Sequence, residues 1–288
     1  MLDCMIIGSG PAGISAALTL QANGKSCVVF GSPALSEKIE KAELIRNYPG
    51  LSNVTGKAFV AALQKQLAEA NIEIKNEKVA GVYALKDKFT LLTQEQNTYE
   101  SKTVILACGV ESVKQIEGEE AFVGRGVSYC ATCDGFLYKG KTIAIFCTSK
   151  RMEHEIGYLA NFAKKVYLIP MYKDVEVSFE NVEIIRKMPK KIDGAKRVER
   201  LQFSAPIAEN GGQELSIDGI FMLRECVSPA ILVGGLQTEN GHVLVTRNME
   251  TNLPGCFAAG DCTGRPYQYA KAVGEGNVAA HAASVFLK

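Results

Sequence analysis

Apolar runs in this chain are short and continuous, and glycine-rich turns or helical periodicities separate them. Cys4-Met5-Ile6-Ile7 has the pattern of a buried strand, which leads into Gly8-Ser9-Gly10-Pro11-Ala12-Gly13 and then a small-residue helix from Ile14 to Leu20. Strands that are apolar throughout, rather than alternating, fit a parallel sheet covered on both faces. Ser26 to Phe30 predicts a second strand, residues 56–70 an amphipathic helix, and residues 72–93 short strands joined by turns. Lys102 to Gly109 reads as another buried strand, ending in small residues that would let a bulky ligand lie close to the backbone. After Glu111 the pattern restarts: Lys141 to Phe146 opens a second strand-turn-helix unit, and Val166 to Ile169 is its second strand. The chain is expected to cross back near Gly234 to Gly241, add a final strand over Cys256 to Cys262, and end in an alanine-rich helix from Val273 to Phe286. The fold class is therefore α/β, with two doubly wound, Rossmann-like three-layer domains of nucleotide-binding type, the second inserted into the first. The expected bounds are 1–112 with 241–288 for the outer domain and 113–240 for the insert.

Composition narrows the function classes. With 288 residues, 47% of them hydrophobic, the chain can bury two medium cores. A net charge of +1 argues against a nucleic-acid binder. No apolar run approaches the roughly 18 residues of a membrane span, and the N-terminus has no basic region, so neither a span nor a signal peptide is expected. Nine cysteines is an odd number. Seven of them (Cys4, Cys27, Cys108, Cys147, Cys226, Cys256, Cys262) are scattered through apolar segments, which suits a reducing cytoplasm better than a secreted disulfide scaffold.

Two motifs carry chemistry. Strand, G-x-G-x-x-G and helix in succession form a dinucleotide-binding context, and its place at the chain start is usual for an FAD domain. Gly8 permits the turn, Gly10 lets the backbone approach a pyrophosphate, and Gly13 lets helix and strand pack closely. The anion would sit on the helix N-terminus, beside Ser9, Pro11 and Ala12. The second strand ends in Gly31-Ser32, where this fingerprint expects an acid for the ribose. The other motif is Tyr129-Cys130-Ala131-Thr132-Cys133-Asp134-Gly135. Two thiols separated by two residues can act as a two-electron switch, with Asp134 handling the proton. Half of a zinc site or an inert disulfide are the competing readings, although no second C-x-x-C is present and His154, His242 and His281 are not at zinc-finger spacing.

Together these segments, with Asn47-Tyr48-Pro49-Gly50, Gly124-Arg125-Gly126-Val127-Ser128 and Phe257 to Asp261, resemble the low-molecular-weight thioredoxin reductases over nearly the whole chain. The resemblance implies FAD, thioredoxin as partner and a homodimer. It implies that Gly8 to Gly13 bind the pyrophosphate, that Asn47 lies along the flavin, and that Gly260 and Asp261 contact the ribityl and phosphate region. It also implies Cys133 as the flavin-proximal thiol, Cys130 as the thiol that attacks thioredoxin, and Asp134 as the acid.

The departures concern the second nucleotide. Family members that use NADPH carry G-x-G-x-x-A after the first strand of the insert; here Cys147, Ser149 and Met152 replace the small residues. Their H-R-R segment, which grips the ribose phosphate, aligns with Pro170-Met171-Tyr172, and an arginine fork cannot be replaced by proline and methionine. A branch of the family, the ferredoxin-dependent flavin thioredoxin reductases of clostridia, shares this loss. The chain is similar to that branch in Phe30-Gly31-Ser32, in Tyr167 to Asp174 and in Gly264 to Tyr269, which adds Tyr267 and Gln268 to the implied flavin contacts. The usual G-G-Q-L is absent around Ser36 to Ile39, so contacts there are not carried over. Ferredoxin is thus the expected donor, with NADPH-dependent thioredoxin reduction as the runner-up and a non-enzymatic redox sensor as a different class. A disulfide packed on a flavin cannot also meet a protein, so the insert is expected to swing about crossings near Ser112 and Gly241. The basic segment from Arg186 to Arg200 could steer an acidic ferredoxin or be an ordinary solvated face.

Overall fold

The computed structural model describes residues 1–40, 42–110, 115–207, 212–224 and 228–288. The chain opens with β1 (Leu2–Ile7), α1 (Pro11–Ala22), β2 (Cys27–Phe30), α2 (Glu37–Glu40), α3 (Gly56–Glu69), β3 (Ile74–Lys75), β4 (Val79–Ala84), β5 (Phe89–Thr93) and β6 (Thr98–Leu106). Next come β7 (Val127–Ser128), α4 (Ala131–Asp134), β8 (Thr142–Cys147), α5 (Glu153–Ala160), β9 (Lys165–Pro170) and β10 (Val182–Ile184). These are followed by β11 (Pro189–Asp193), β12 (Arg200–Phe203), β13 (Glu214–Ser216) and β14 (Gly219–Leu223). The last elements are α6 (Pro229–Leu232), β15 (Thr238–Glu239), β16 (His242–Val243), β17 (Cys256–Ala258) and α7 (Tyr269–Phe286).

Two compact units result: Met1–Val110 with Ser228–Lys288, and Glu111–Val227. The return to the first unit therefore lies at Ser228 rather than at Gly241. Residues 228–240 pack on the first unit, where Val82 and Val233 form a parallel bridge. Asn240 and Gly241 both have positive φ and turn the hairpin between β15 and β16. The expected crossing at Ser112 lies outside the described residues, as does Cys226.

The first unit is built on a seven-stranded sheet ordered β3-β2-β1-β6-β5-β4, with β17 also on β6. β6 takes three partners because β5 pairs antiparallel with its first residues, Thr98 to Ser101, and β17 pairs parallel with Val104 to Leu106. Met5, Ile6, Val29, Val104 and Ile105 are completely buried, as continuous apolar strands require. α1 and α7 share an alanine-rich core, and their close approach depends on small residues: a Cβ on Gly276 would lie 2.1 Å from the Ala12 carbonyl oxygen. A second cluster seats α3 through Phe59, Val60, Leu63 and Leu67 against Ile14.

The second unit has a five-stranded, all-parallel sheet, β10-β9-β8-β14-β7. Period-2 alternation sends Ile143, Ile145 and Cys147 of β8 toward Ile156 and Leu159 of α5. Ala144 and Phe146 point the other way, toward Ile192, Leu201 and Phe203 of a three-stranded antiparallel sheet, β11-β12-β13. That face is covered by strands rather than by helices, and the layer count is still three.

Candidate functional site

In the second unit Cys130 and Cys133 are joined as a disulfide with Cα atoms 5.3 Å apart. Cys130 caps α4, its Sγ accepting from the Cys133 backbone N–H at 3.1 Å. Ser128, at the end of β7, organises the motif. Its hydroxyl is 2.7 Å from Asp134 Oδ2, to which it donates, and its oxygen accepts from the Cys130 backbone N–H at 3.1 Å. Gly135 lets the following turn settle on α5, because a Cβ there would lie 3.0 Å from Leu159 Cδ2. Cys130 is buried and Cys133 half-buried, whereas the next side chains, Phe136 and Leu137, are 65% and 64% exposed.

The turn after β8, where a second nucleotide would need bare backbone, is filled by the chain itself. Cys147 and Met152 are buried in the cluster that also takes Tyr172, Val175 and Val177. Burial pushes the Cys147 thiol up to about 11 and raises the Tyr172 phenol. Lys150 is committed to Glu176 at 2.6 Å, and the Glu176 backbone N–H donates to Glu153 Oε1 at 3.1 Å. Glu176 is thereby fastened to this turn through both its side chain and its backbone N–H.

The first unit brings the other predicted residues together. Gly8 has φ +114°, and a Cβ there would lie 2.2 Å from the Ala107 carbonyl oxygen; one on Gly13 would lie 1.9 Å from the Gly8 carbonyl oxygen. Gly10 is different: a Cβ would meet nothing within 4 Å, and α1 starts there without a side-chain cap. α1 thus begins with open space beside Gly10 and no side-chain cap, the arrangement a pyrophosphate needs. Ser9 is turned away from that opening, its hydroxyl donating to the Ser32 carbonyl oxygen at 2.9 Å. Gly260 (φ +87°) sets the Asp261 turn against Ala12, where a Cβ on Gly260 would lie 2.9 Å from the Ala12 Cβ. Asn47 Nδ2 donates to Gln268 Oε1 at 2.7 Å, and the neighbouring residues Tyr48 and Tyr269 each pack on the ring of Phe59, Tyr48 edge-to-face at 4.8 Å and Tyr269 tilted at 5.8 Å. Burial, followed by the charge of Asp261, raises the Tyr269 phenol. Tyr267 accepts or donates a 2.7 Å hydrogen bond with His242 Nε2, and Arg265 lies over its ring at 5.1 Å. These residues fit FAD: an uncapped, uncrowded helix N-terminus with Asp261, Asn47 and Gln268 on neighbouring loops.

Three further groups shape these sites without a local sequence signal. Ser128 lies inside a motif but shows no role until its oxygen is placed. Lys271 Nζ reaches the Gly260 and Gly264 carbonyl oxygens at 2.7 and 2.9 Å and pairs with Glu275 at 2.9 Å, holding the turn that carries Asp261. Glu119 and Arg224 form a buried ion pair across 105 positions of sequence.

The family profile of the pyridine nucleotide-disulphide oxidoreductases matches residues 2–152 and 157–276. A thioredoxin reductase of Helicobacter pylori is 32% identical over 291 residues, covering 91% of this chain and 90% of the relative. One of Mycoplasma genitalium is 30% identical, covering 95% and 91%. Among solved structures, a ferredoxin-flavin thioredoxin reductase from Clostridium acetobutylicum is 46% identical with a TM-score of 0.86, covering 99% of this chain and 97% of that one. A thioredoxin reductase from Gloeobacter violaceus is 27% identical with a TM-score of 0.81, covering 99% and 94%.

Proposed function

Because the chain belongs to the pyridine nucleotide-disulphide oxidoreductase family, and within it to the thioredoxin reductases, we propose that it takes electrons from reduced ferredoxin. It then passes them by way of FAD and the Cys130–Cys133 disulfide to thioredoxin. FAD is the cofactor of this family. The observation that carries the choice of donor is the turn after β8, where Cys147, Ser149 and Met152 stand in place of the small residues of a nucleotide turn, Cys147 and Met152 pack with Tyr172 in one buried cluster, and Lys150 is paired with Glu176. Similarity to a protein named as a ferredoxin-flavin thioredoxin reductase supports the same donor.

Gly8, Gly10, Gly13 and the N–H groups that open α1 would hold the pyrophosphate, with Asp261, Asn47, Tyr267 and Gln268 toward the rest of the cofactor. Bound FAD supplies a carrier that can be loaded by single electrons and hand on a pair, as a disulfide requires. With the cysteine pair reduced, the Cys130 thiolate attacks one sulfur of the thioredoxin disulfide; that bond breaks, the leaving sulfur takes a proton, and a mixed disulfide forms. The Cys133 thiolate then attacks Cys130 Sγ, which re-forms the Cys130–Cys133 bond and releases the second thioredoxin sulfur as a thiol. Two electrons leave the enzyme and two thiols appear on thioredoxin. Asp134, held by Ser128 beside Cys133 in α4, is the group placed to move protons to and from these sulfurs. Because Cys130 is buried in the oxidised form, exchange needs a conformational step that exposes it. Phe136 and Leu137 would then present an apolar surface to the incoming protein.

Reconstitution with thioredoxin tests the donor. Turnover is expected with reduced ferredoxin and not with NADPH or NADH; comparable turnover with NADPH would return the chain to the nicotinamide-dependent reductases.

A further inference from the structure

Nothing in thiol-disulfide exchange calls for a buried ion pair, yet the second unit contains one. Glu119 and Arg224 are each 1% exposed, and Arg224 Nη2 lies 2.7 Å from Glu119 Oε2. Arg224 follows directly on β14, and its guanidinium sits over the ring of Phe146 in β8, 5.0 Å from the centroid. Glu119 Oε2 also accepts from the Ile116 backbone N–H at 2.9 Å, so the carboxylate is fixed from two directions. Its other oxygen, Oε1, accepts the hydroxyl of Tyr129, the residue immediately before Cys130.

Taking two charges out of water is unfavourable, and losing either partner strands the other, so such a pair keeps one geometry once formed. The pair lies at the ends of the central strands β8 and β14, and Tyr129 ties to it the stretch of chain that enters Cys130. From the other side Ser128 accepts the Cys130 N–H. The backbone at Cys130 is therefore gripped by Ser128 directly and by Glu119 through the residue that precedes it.

We infer that Glu119 and Arg224 are positioning residues for the redox disulfide, acting through Tyr129 on the backbone of Cys130 and so on the balance between the disulfide and dithiol forms. The inference rests on the reading of Cys130–Cys133 as the redox centre. Ring closure depends on how often the two sulfurs meet in the right orientation, and the network is intact with the ring closed. Loosening it should favour the dithiol.

Tyr129→Phe is the cleanest perturbation, because it keeps the ring and both charges and removes only the hydroxyl that joins Tyr129 to Glu119. The holoprotein is equilibrated in glutathione redox buffers, quenched by alkylation and read by mass. The expected result is about a threefold to tenfold shift of the Cys130–Cys133 pair toward the dithiol, up to about 30 mV for this two-electron couple, together with a fall of a few degrees in melting temperature because a buried carboxylate oxygen loses its donor. Arg224→Lys, which retains a charge for Glu119, should shift the pair less than Arg224→Met. If Arg224→Met does not fold, Tyr129→Phe alone decides. A Tyr129→Phe protein with the wild-type ratio, or one whose melting temperature falls while the ratio stays put, makes the network purely structural and overturns the inference. A wild-type pair that does not titrate at all removes the redox reading itself.

Discussion

Replacing Gly10 and Gly13 by alanine, one at a time, should separate the cofactor seat from the fold. A Cβ on Gly10 meets nothing within 4 Å, and the backbone there (φ −80°, ψ −178°) is one that alanine adopts. The flavin-free protein then loses only the preference for glycine over alanine at a helix N-cap, under about 1 kcal/mol. At Gly13 the added Cβ would lie 1.9 Å from the Gly8 carbonyl oxygen, an overlap that only backbone movement relieves. Overpacking of that kind costs about 1–3 kcal/mol, and more where backbone must shift. Flavin binding should rank the two differently. The Gly10→Ala methyl stands at the uncapped start of α1, and if it displaces one charge-assisted hydrogen bond to the pyrophosphate the loss is about 1.5–3 kcal/mol. That corresponds to about 10- to 140-fold weaker FAD binding. Urea unfolding of the flavin-free proteins gives the first quantity, and titration with FAD followed by flavin fluorescence gives the second. A Gly10→Ala protein that binds FAD as tightly as the wild type would refute the assignment of this turn as the pyrophosphate seat. Equal destabilisation of both flavin-free variants would refute the claim that only Gly13 is a packing residue.

The two redox cysteines should behave differently: Cys133→Ser should accumulate a mixed disulfide with thioredoxin through Cys130, and Cys130→Ser should not, as read by non-reducing electrophoresis; a trap that forms only through Cys133 reverses the roles. In the reduced protein, burial pushes the thiols of Cys27 and Cys147 up to about 11 and those of Cys256 and Cys262 up to about 12, so at pH 8 iodoacetamide should label the Cys130–Cys133 pair before any of these four, as peptide mapping would show. Lys191 and Arg200 are both engaged by Asp193, at 3.3 and 2.9 Å, and among the other cations of this segment Lys190 and Lys196 are exposed and suit reversal. The double change to glutamate should raise the apparent KM for ferredoxin and weaken its dependence on salt, since the screening length is about 10 Å at 0.1 M; unchanged kinetics at low salt would make this segment a solvated face.

Much of this was legible in the sequence because glycine spacing and apolar runs are local signals. Gly8 and Gly13 are glycines for a reason that spacing alone conveys, the close packing of strand, turn and helix. Cys147 and Met152 depart from the small residues of a nucleotide turn, a local signal, and both are buried in the structure. The expected return near Gly234 to Gly241 and the unit boundary at Ser228 differ, and Asn240-Gly241 is a dipeptide that favours the hairpin found there. Glu119, Arg224 and Lys271 could not have been found this way. A charge is unremarkable in a sequence until the topology places it in the interior, and the partners of Glu119 come from positions 116, 129 and 224.

Anaerobic mixing of the purified, FAD-loaded protein with excess NADPH tests the choice of donor most directly, because it isolates flavin reduction from every later step. The flavin absorption band should stay oxidised with NADPH and bleach when reduced ferredoxin is added to the same sample. Rapid bleaching by NADPH alone would contradict the account, since it would mean that a nicotinamide reaches the flavin despite Cys147, Met152 and the carboxylates of Glu153 and Glu176.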